Sequence, residues 1–330
     1  MCAYLYYRYG PPGVLKLEDC PKPIPAANEV LLKVHAASIN PYDWHFLRGE
    51  PYLLRLMAGL GQPKDPRLGA DLAGEVEAVG SSVTRFKPGD AVFGVGKGAF
   101  AEFACARDMQ IAPKPANITF EQAAAVPIAG LTALQALRKA GLQHPNAGTA
   151  SQPKVLINGA SGGVGTFSVQ IAKAFGGHIT AVCSTRNVEM VRALGADHVM
   201  DYTREDFTKT NERFDIILDN VGNRPLLACR RLLLPKGFYI GAGGSAGRWM
   251  VATIARAIAS LVLSAFGARK FIGVFAKPTT DDLNILHNLM QAGKVTPALD
   301  RRYPLAELPQ AIAYLEEGHA RGKVVITVHP

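Results

Sequence analysis

The chain is poor in cysteine and spreads what it has. Five residues, Cys2, Cys20, Cys105, Cys183 and Cys229, form no C-x-x-C pair and make an odd number. That excludes a disulfide framework and a cysteine-rich zinc site, and it fits a reducing compartment. Internal repeats and low-complexity tracts are also missing. The first residues, Met1-Cys-Ala-Tyr-Leu-Tyr-Tyr-Arg8, lack the basic start and apolar core of a secretory signal, so a cytoplasmic protein is expected. Charge is sparse, at 19% of residues against 48% hydrophobic, as in a soluble globular enzyme. Negative charge is the scarcer sign: the formal net charge is +9 and the pI about 9.3. That balance admits nucleic acid or anionic membrane as partners. The densest cationic pairs, Arg230-Arg231, Arg269-Lys270 and Arg301-Arg302, lie far apart in sequence, however. The expectation is a solvated surface that also attracts an anionic cofactor, with no nucleic-acid partner.

Long apolar runs are absent except at 249–266, where Arg256 is the single charge. Its length stands at the lower limit for a membrane span. Val251, Ile254, Ile258, Leu261, Val262 and Ala265 keep helical spacing, while Thr253, Arg256, Ser260 and Ser264 take other positions. The pattern is read as an amphipathic helix over a substrate mouth or at a subunit interface. Membrane-surface contact through 249–266 and a true span are the alternatives.

What the chain does have is a glycine loop at the right place. Val155, Leu156 and Ile157 make a short apolar run, as a strand buried on both faces should. A helix follows with Val164, Phe167, Val169, Ile171, Ala172 and Phe175 on its apolar face, stopped by Gly176 and Gly177. Between them, Ala160-Ser161-Gly162-Gly163-Val164-Gly165 is a variant of the dinucleotide fingerprint in which Ala160 takes the first glycine position. Gly162 lets the backbone approach a pyrophosphate, and Gly165 lets helix and strand pack closely. Free N–H groups at the helix start, with the positive end of the dipole behind them, suit phosphate. The context of strand, loop, helix and a second strand at 179–183 favours dinucleotide binding over a merely tight turn.

Enzymes that use NAD usually carry an acid at the end of that second strand. Here no acidic residue lies between Gly159 and Val188, and the strand runs into Cys183-Ser184-Thr185-Arg186-Asn187. The hydroxyls and the guanidinium predict NADP as cofactor, unless Arg186 is only a solvated surface charge.

Along the chain, short β-type runs at 3–9, 14–17, 30–36, 74–79, 91–95 and 101–104 are separated by Pro- and Gly-rich turns, which predicts a barrel-like β domain. Helices are expected at 120–125 and 131–140, then a polar linker at 143–153. Strands at 155–158, 179–183, 198–201, 214–220 and 237–241 alternate with helices, the signature of a parallel sheet. Helices at 279–292 and 305–317 and a strand at 323–328 close the chain.

Several spaced motifs, in order, resemble the medium-chain dehydrogenase/reductase superfamily and its zinc-independent quinone oxidoreductase (zeta-crystallin-like) branch. They are Gly69-Ala-Asp-Leu-Ala-Gly-Glu-Val76, Lys87-Pro-Gly-Asp-Ala-Val-Phe-Gly94, Ala124-Ala-Val-Pro-Ile-Ala-Gly-Leu-Thr-Ala-Leu134, the glycine loop, Ala193-Leu-Gly-Ala-Asp197 and Gly322-Lys-Val-Val-Ile326. The resemblance implies an α/β protein: a GroES-like β-barrel catalytic domain at 1–125, a Rossmann-type parallel-sheet domain at 126–270, and a return to the catalytic domain at 271–330. Zinc-dependent members place a Cys where this chain has Asn40, a His-Glu pair at Ala70-Asp71 and a further Cys close to Ala129, so no metal is expected.

In that family the Ser38-Ile-Asn-Pro-Tyr-Asp43 segment lies beside the nicotinamide, which makes Asn40, Asp43 and Tyr42 catalytic candidates. Asn40 and Asp43 are also ordinary turn-formers. Charge developing on an acceptor oxygen needs a donor; Asn40, Tyr42, Tyr52 or water would serve, and His45 is read as structural. The resemblance also implies cofactor contacts at Thr132, Ala160, Ser161, Gly162, Gly163, Val164, Ser184, Arg186, Tyr202, Asn220, Val221, Gly241, Phe275 and Lys323. The Asn220-Val221-Gly222 strand end has independent support, because strand C-termini line the crevice of such sheets. The expected activity is NADPH-dependent reduction of a quinone or conjugated carbonyl by a homodimer. The alternatives are a metal-free enone or alcohol oxidoreductase, or an NADPH-binding protein without turnover, as in crystallin-like and RNA-binding relatives.

Overall fold

A computed structural model describes residues 1–143, 152–243, 251–265 and 267–329. Two compact units divide the chain, one made of Met1–Leu131 with Lys277–Pro330 and the other of Thr132–Ala276. The expected borders at 125/126 and 270/271 stand a few residues before these. Most of the linker predicted at 143–153 lies outside the described residues, as do Trp249 and Phe266.

The first unit opens with β1 (Cys2–Leu5) and β2 (Lys16–Asp19), an antiparallel pair. Its long strand is β3 (Glu29–Ile39). There follow α1 (Pro41–Arg48), the single turn α2 (Arg55–Ala58), β4 (Asp71–Val79), β5 (Ala91–Val95), β6 (Phe103–Arg107), β7 (Ile111–Pro113), α3 (Phe120–Ala124) and the first residues of α4 (Pro127–Lys139), which continues into the second unit from Thr132. The sequence pattern split α4 from its true start, because Pro127 and Gly130 read as breakers. Proline is at home in the first helical turn, where its missing N–H has no partner to lose. The segment after β3, expected to be a turn, is a helix that Pro41 opens in the same way.

The second unit is a six-stranded parallel sheet. It uses β8 (Lys154–Asn158), α5 (Gly163–Ala174), β9 (His178–Cys183), α6 (Val188–Ala193), β10 (His198–Asp201), β11 (Phe214–Asp219), α7 (Leu226–Leu232), β12 (Leu233–Gly241), α8 (Val251–Ala265) and β13 (Lys270–Gly273). The order across the sheet is β10-β9-β8-β11-β12-β13, the doubly wound 3-2-1-4-5-6 arrangement of a Rossmann-type domain. Leu156, Val182, Ile217 and Phe214 are buried in its core. The edge strand β13 was not predicted: its four residues carry too little alternation to stand out, and pairing with β12 makes the strand.

Helix α8 keeps the predicted period. Its polar residues turn inward, with Arg256 bonded to Asp219 and Ser264 to the backbone of Phe271. Ala259 and Leu263 pack beside them on the core, while Ile254, Ile258, Leu261 and Val262 are exposed. Among the described residues no helix is long and apolar enough to cross a membrane.

The chain then returns to the first unit through α9 (Thr280–Gln291), β14 (Leu299–Pro304), α10 (Leu308–Glu316) and β15 (Lys323–Thr327). Strand β15 lies between β14 and β3 in the sheet β14-β15-β3-β4-β5-β7, with β6 also paired to β3. This explains why β3 outruns its predicted end at Ala36. Ala37 and Ser38 have weak strand preference alone, but Ile326 and Val325 lie opposite and pair with them, as Val324 does with Ile39.

Candidate active site

Three strand ends build a buried polar cluster in the first unit. The last residues of β3 bring Ser38 and, just beyond, Asn40; β4 begins at Asp71, directly across from Ser38; β15 begins at Lys323, beside Ile39's partner Val324. All four side chains are buried, with Asp43. The Lys323 ammonium donates to Asn40 Oδ1 at 2.6 Å and to the Ile39 carbonyl at 3.1 Å, and lies 3.4 Å from Asp71 Oδ2. Asp71 also accepts from Asn40 Nδ2 at 2.8 Å, Ser38 Oγ at 3.0 Å and the Ile128 N–H at 3.0 Å. A buried ion pair is tolerable only when its remaining lone pairs and protons are met, as here. Burial pushes the Lys323 ammonium below its ordinary pKa, against the opposing pull of Asp71 and Asp43.

Lys323 was predicted among the cofactor contacts. In the structure each of its three protons has an acceptor within the first unit, and these bonds fix Asn40 and Asp71. Asp43 accepts the Asn40 N–H at 2.7 Å from the third position of α1 and so closes the helix start. Burial pushes its carboxyl up to about 7, with Asp71 raising it further and the Asn40 N–H opposing. Its second oxygen, Oδ1, is buried without a partner.

Tyr42, grouped with these residues by sequence, is 46% exposed and lies against Phe46, outside the cluster. Tyr52 and Tyr9 flank the Arg55 guanidinium. His45 bonds the Glu50 carbonyl through Nδ1 and lies against Trp44.

Zinc needs three or more ligands of Cys, His or carboxylate type. Where the resemblance would put them stand Asn40, Ala70-Asp71 and Ala129, with an ammonium already bound to the one carboxylate. This donor set does not fit a divalent cation. Among the described residues no group of three His, Cys, Asp or Glu could hold one.

The second unit carries the nucleotide features. Gly162 caps α5 in an extended conformation with no side-chain bond, so its first-turn N–H groups are not met by a capping side chain. A Cβ on Gly165 would come within 2.1 Å of the Gly159 carbonyl oxygen, so glycine is demanded there by the fold itself. A Cβ on Gly162 would meet that oxygen at an ordinary 3.6 Å and nothing else. The protein's own packing leaves room at Gly162 for a ligand, so this cradle fits a pyrophosphate.

Two residues that sequence reading passed over hold the cradle in place. Asn187 Nδ2 donates to Ser161 Oγ at 3.0 Å and Ser184 Oγ at 3.1 Å, tying the glycine loop to the end of β9. Asp219, fully buried, accepts from the N–H groups of Val221 and Gly222, from Asn158, from Tyr239 Oη at 2.6 Å and from Arg256. Arg256 also bonds Tyr239 Oη. This fixes the Asn220-Val221-Gly222 turn; Asn220 itself donates to the Asn158 carbonyl at 3.1 Å. The only sequence signal for Asp219 was its place at the end of a strand.

The other predicted contacts spread over this unit. Ala160 and Thr132 are buried, while Gly163, Val164 and Ser184 are half-buried. Gly241 pairs with Asp219 and Gly273 at the strand ends. Arg186 and Tyr202 are exposed, and Phe275, just past β13, is 87% exposed. An acid does stand near the end of β9, one strand over. Asp201 accepts Thr185 Oγ1 at 2.5 Å and both the N–H and hydroxyl of Thr203, which hold its carboxyl below the usual range.

The alcohol dehydrogenase GroES-like domain family matches residues 26–116, and the zinc-binding dehydrogenase family matches residues 194–326. The chloroplast envelope quinone oxidoreductase homolog of Arabidopsis thaliana is 36% identical over 341 residues, covering 99% of this chain and 98% of that protein. A mitochondrial NAD(P)H oxidoreductase of Mus musculus is 33% identical over 374 residues, covering 99% and 89%. The structure of the quinone oxidoreductase from Coxiella burnetii superposes with a TM-score of 0.85 at 32% identity, over 100% of this chain and 99% of the other. These likenesses run through both units, and the chain belongs to the medium-chain dehydrogenase/reductase superfamily as an oxidoreductase of its quinone oxidoreductase-like branch.

Proposed function

We propose that this chain is an NADPH-dependent, zinc-independent reductase that passes hydride to a quinone or a conjugated carbonyl compound. The observation that carries the reading is the Lys323 ammonium, 2.6 Å from Asn40 Oδ1 and paired to Asp71 where a metal-dependent relative would need ligands. A fixed cation there leaves polarisation of the acceptor to hydrogen-bond donors.

Bound NADPH would supply the hydride. The first-turn N–H groups of α5, from Gly163 onward, take the pyrophosphate, while Asn187 keeps Ser161 and Ser184 in register. Arg186 reads the 2′-phosphate, helped by Ser184 and Tyr202, and the carboxylate of Asp201 is occupied by Thr185 and Thr203 rather than offered to a ribose. In the first unit Lys323 and Asp71 together fix the plane of the Asn40 amide. One Nδ2 proton goes to Asp71, and the other is the donor for an acceptor's oxygen. The reading includes a small-molecule acceptor, a homodimer and a cytoplasmic location.

The test is an acceptor panel of quinones and enones run with NADPH and with NADH before and after prolonged chelation. Turnover with NADPH should survive chelation, and a loss restored by zinc would sink the metal-free reading. Charge-assisted hydrogen bonds contribute about 1.5–3 kcal/mol, so Arg186→Ala should weaken NADPH roughly 10- to 150-fold and leave NADH nearly unchanged. Binding of NADPH without its oxidation by any acceptor would point to a protein that holds the cofactor without turnover.

A further inference from the structure

Helix α8 is inverted for a surface helix in water. Its inward face carries Arg256, Ser260 and Ser264; its outward stripe is Ile254, Ile258, Leu261, Val262 and Ala265, at successive helical positions. Leu261 is 70% exposed and Ile258 57%. Leu227, on the neighbouring α7, is 64% exposed. Contiguous apolar surface of this kind marks a binding face.

Charge says what the face is for. From Asn220 to Thr280 the chain has nine lysines and arginines and no aspartate or glutamate, while the 27 cations elsewhere match the chain's 27 acidic residues. The whole net charge of the protein therefore belongs to the stretch that contains α8. At the C-terminal end of the helix a cavity of about 760 Å³ is lined by Arg213, Arg230, Arg231 and Arg269, with Leu227 on its wall. Arg269 is held there by the Leu233 carbonyl at 2.9 Å. One cation would satisfy the negative end of a helix dipole; four around a cavity exceed that need.

We infer that α8 and the arginine cavity form a docking surface for an anionic lipid bilayer. The helix lies in the interface with its stripe among the upper acyl chains, and the arginines take the headgroup phosphates. A second copy of the chain is the poorer occupant, because a two-fold contact through this face would bring two arginine-lined cavities together.

Flotation of the full-length protein with vesicles tests this. Binding is expected when a third of the phosphatidylcholine is replaced by phosphatidylglycerol, and it should fade with added salt. Each of Arg213→Ala and Arg231→Ala should weaken it about fivefold. Ile258→Ser with Leu261→Ser should weaken it on the order of 30-fold without lowering the unfolding temperature, since both side chains lie outside the core. Absence of binding to anionic vesicles, or equal binding to pure phosphatidylcholine, overturns the inference. So does a double serine variant that turns a dimer into a monomer in sedimentation while vesicle binding stays as it was.

Discussion

Asp43 sits fully buried at the start of α1 with one oxygen unpartnered, and its folded pKa of about 7 stands above the ordinary carboxyl value of 3.8. Between those values the folded chain binds a proton that the unfolded chain has released. The stability this group contributes is therefore complete in acid and is lost as pH rises through about 4 to 7. Asp43→Asn should gain on the wild type by about 1.4 kcal/mol per pH unit across that window, measured by urea unfolding at several pH values. A flat difference would mean that Asp43 stays ionised throughout. Lys323 makes the opposite kind of contribution. Lys323→Ala strands Asp71 as a buried charge with one fewer partner and should cost about 3–5 kcal/mol. Adding Asp71→Asn should return part of that loss, a non-additivity that a double-mutant cycle reads directly. The sequence put Asn40 and Asp43 together but set Lys323 apart among the cofactor contacts. Lys323 reaches Asn40 only because β15 pairs with β3, a contact between distant parts of the chain. Asp219 and Asn187 were invisible for a related reason, since each acts by holding backbone or serines that carry the motif.

The elements were most legible where period and punctuation agreed. Strand β8, the glycine loop and α5 could be placed to within a residue or two, because an apolar run, a run of glycines and a helical stripe follow one another without a gap. The two loop glycines nonetheless do different things, and substitution separates them. Gly165→Ala drives a methyl against the Gly159 carbonyl and should destabilise the unliganded protein by about 1–3 kcal/mol, seen in thermal unfolding. Gly162→Ala meets no such obstacle and should leave unliganded stability within about 0.5 kcal/mol while weakening NADPH at least about tenfold, the two read together by unfolding with and without cofactor. Equal stability losses at both sites would contradict the open cradle at Gly162. Less legible were α1, β13 and the outward face of α8. Asn-Pro-Tyr-Asp reads as a turn because the same residues that make turns also start helices. A helix stripe gives a period without a direction, and only packing shows that Arg256 points to Asp219.

At the scale of the molecule, the α/β class and the Rossmann-type sheet followed from the alternation of strands and helices. The position of β15 inside the first sheet did not, since nothing in a short apolar strand near the end says where it will insert. That insertion bears on how the protein is made. The second unit is continuous, Thr132–Ala276, and has all its strands once that stretch has left the ribosome. The first unit must wait, with the Ala36–Ile39 edge of β3 lacking its neighbour and Asn40 and Asp71 lacking their ammonium, until β15 has been synthesised. An open edge of this sort is a template for wrong pairing between chains. In pulsed hydrogen exchange during refolding, amides of β8, β9 and β11 should be protected before those of β3 and β4. Nascent chains stalled short of Lys323 should be the ones that chaperones retain, so that the arrival of β15 doubles as the quality check on the first unit.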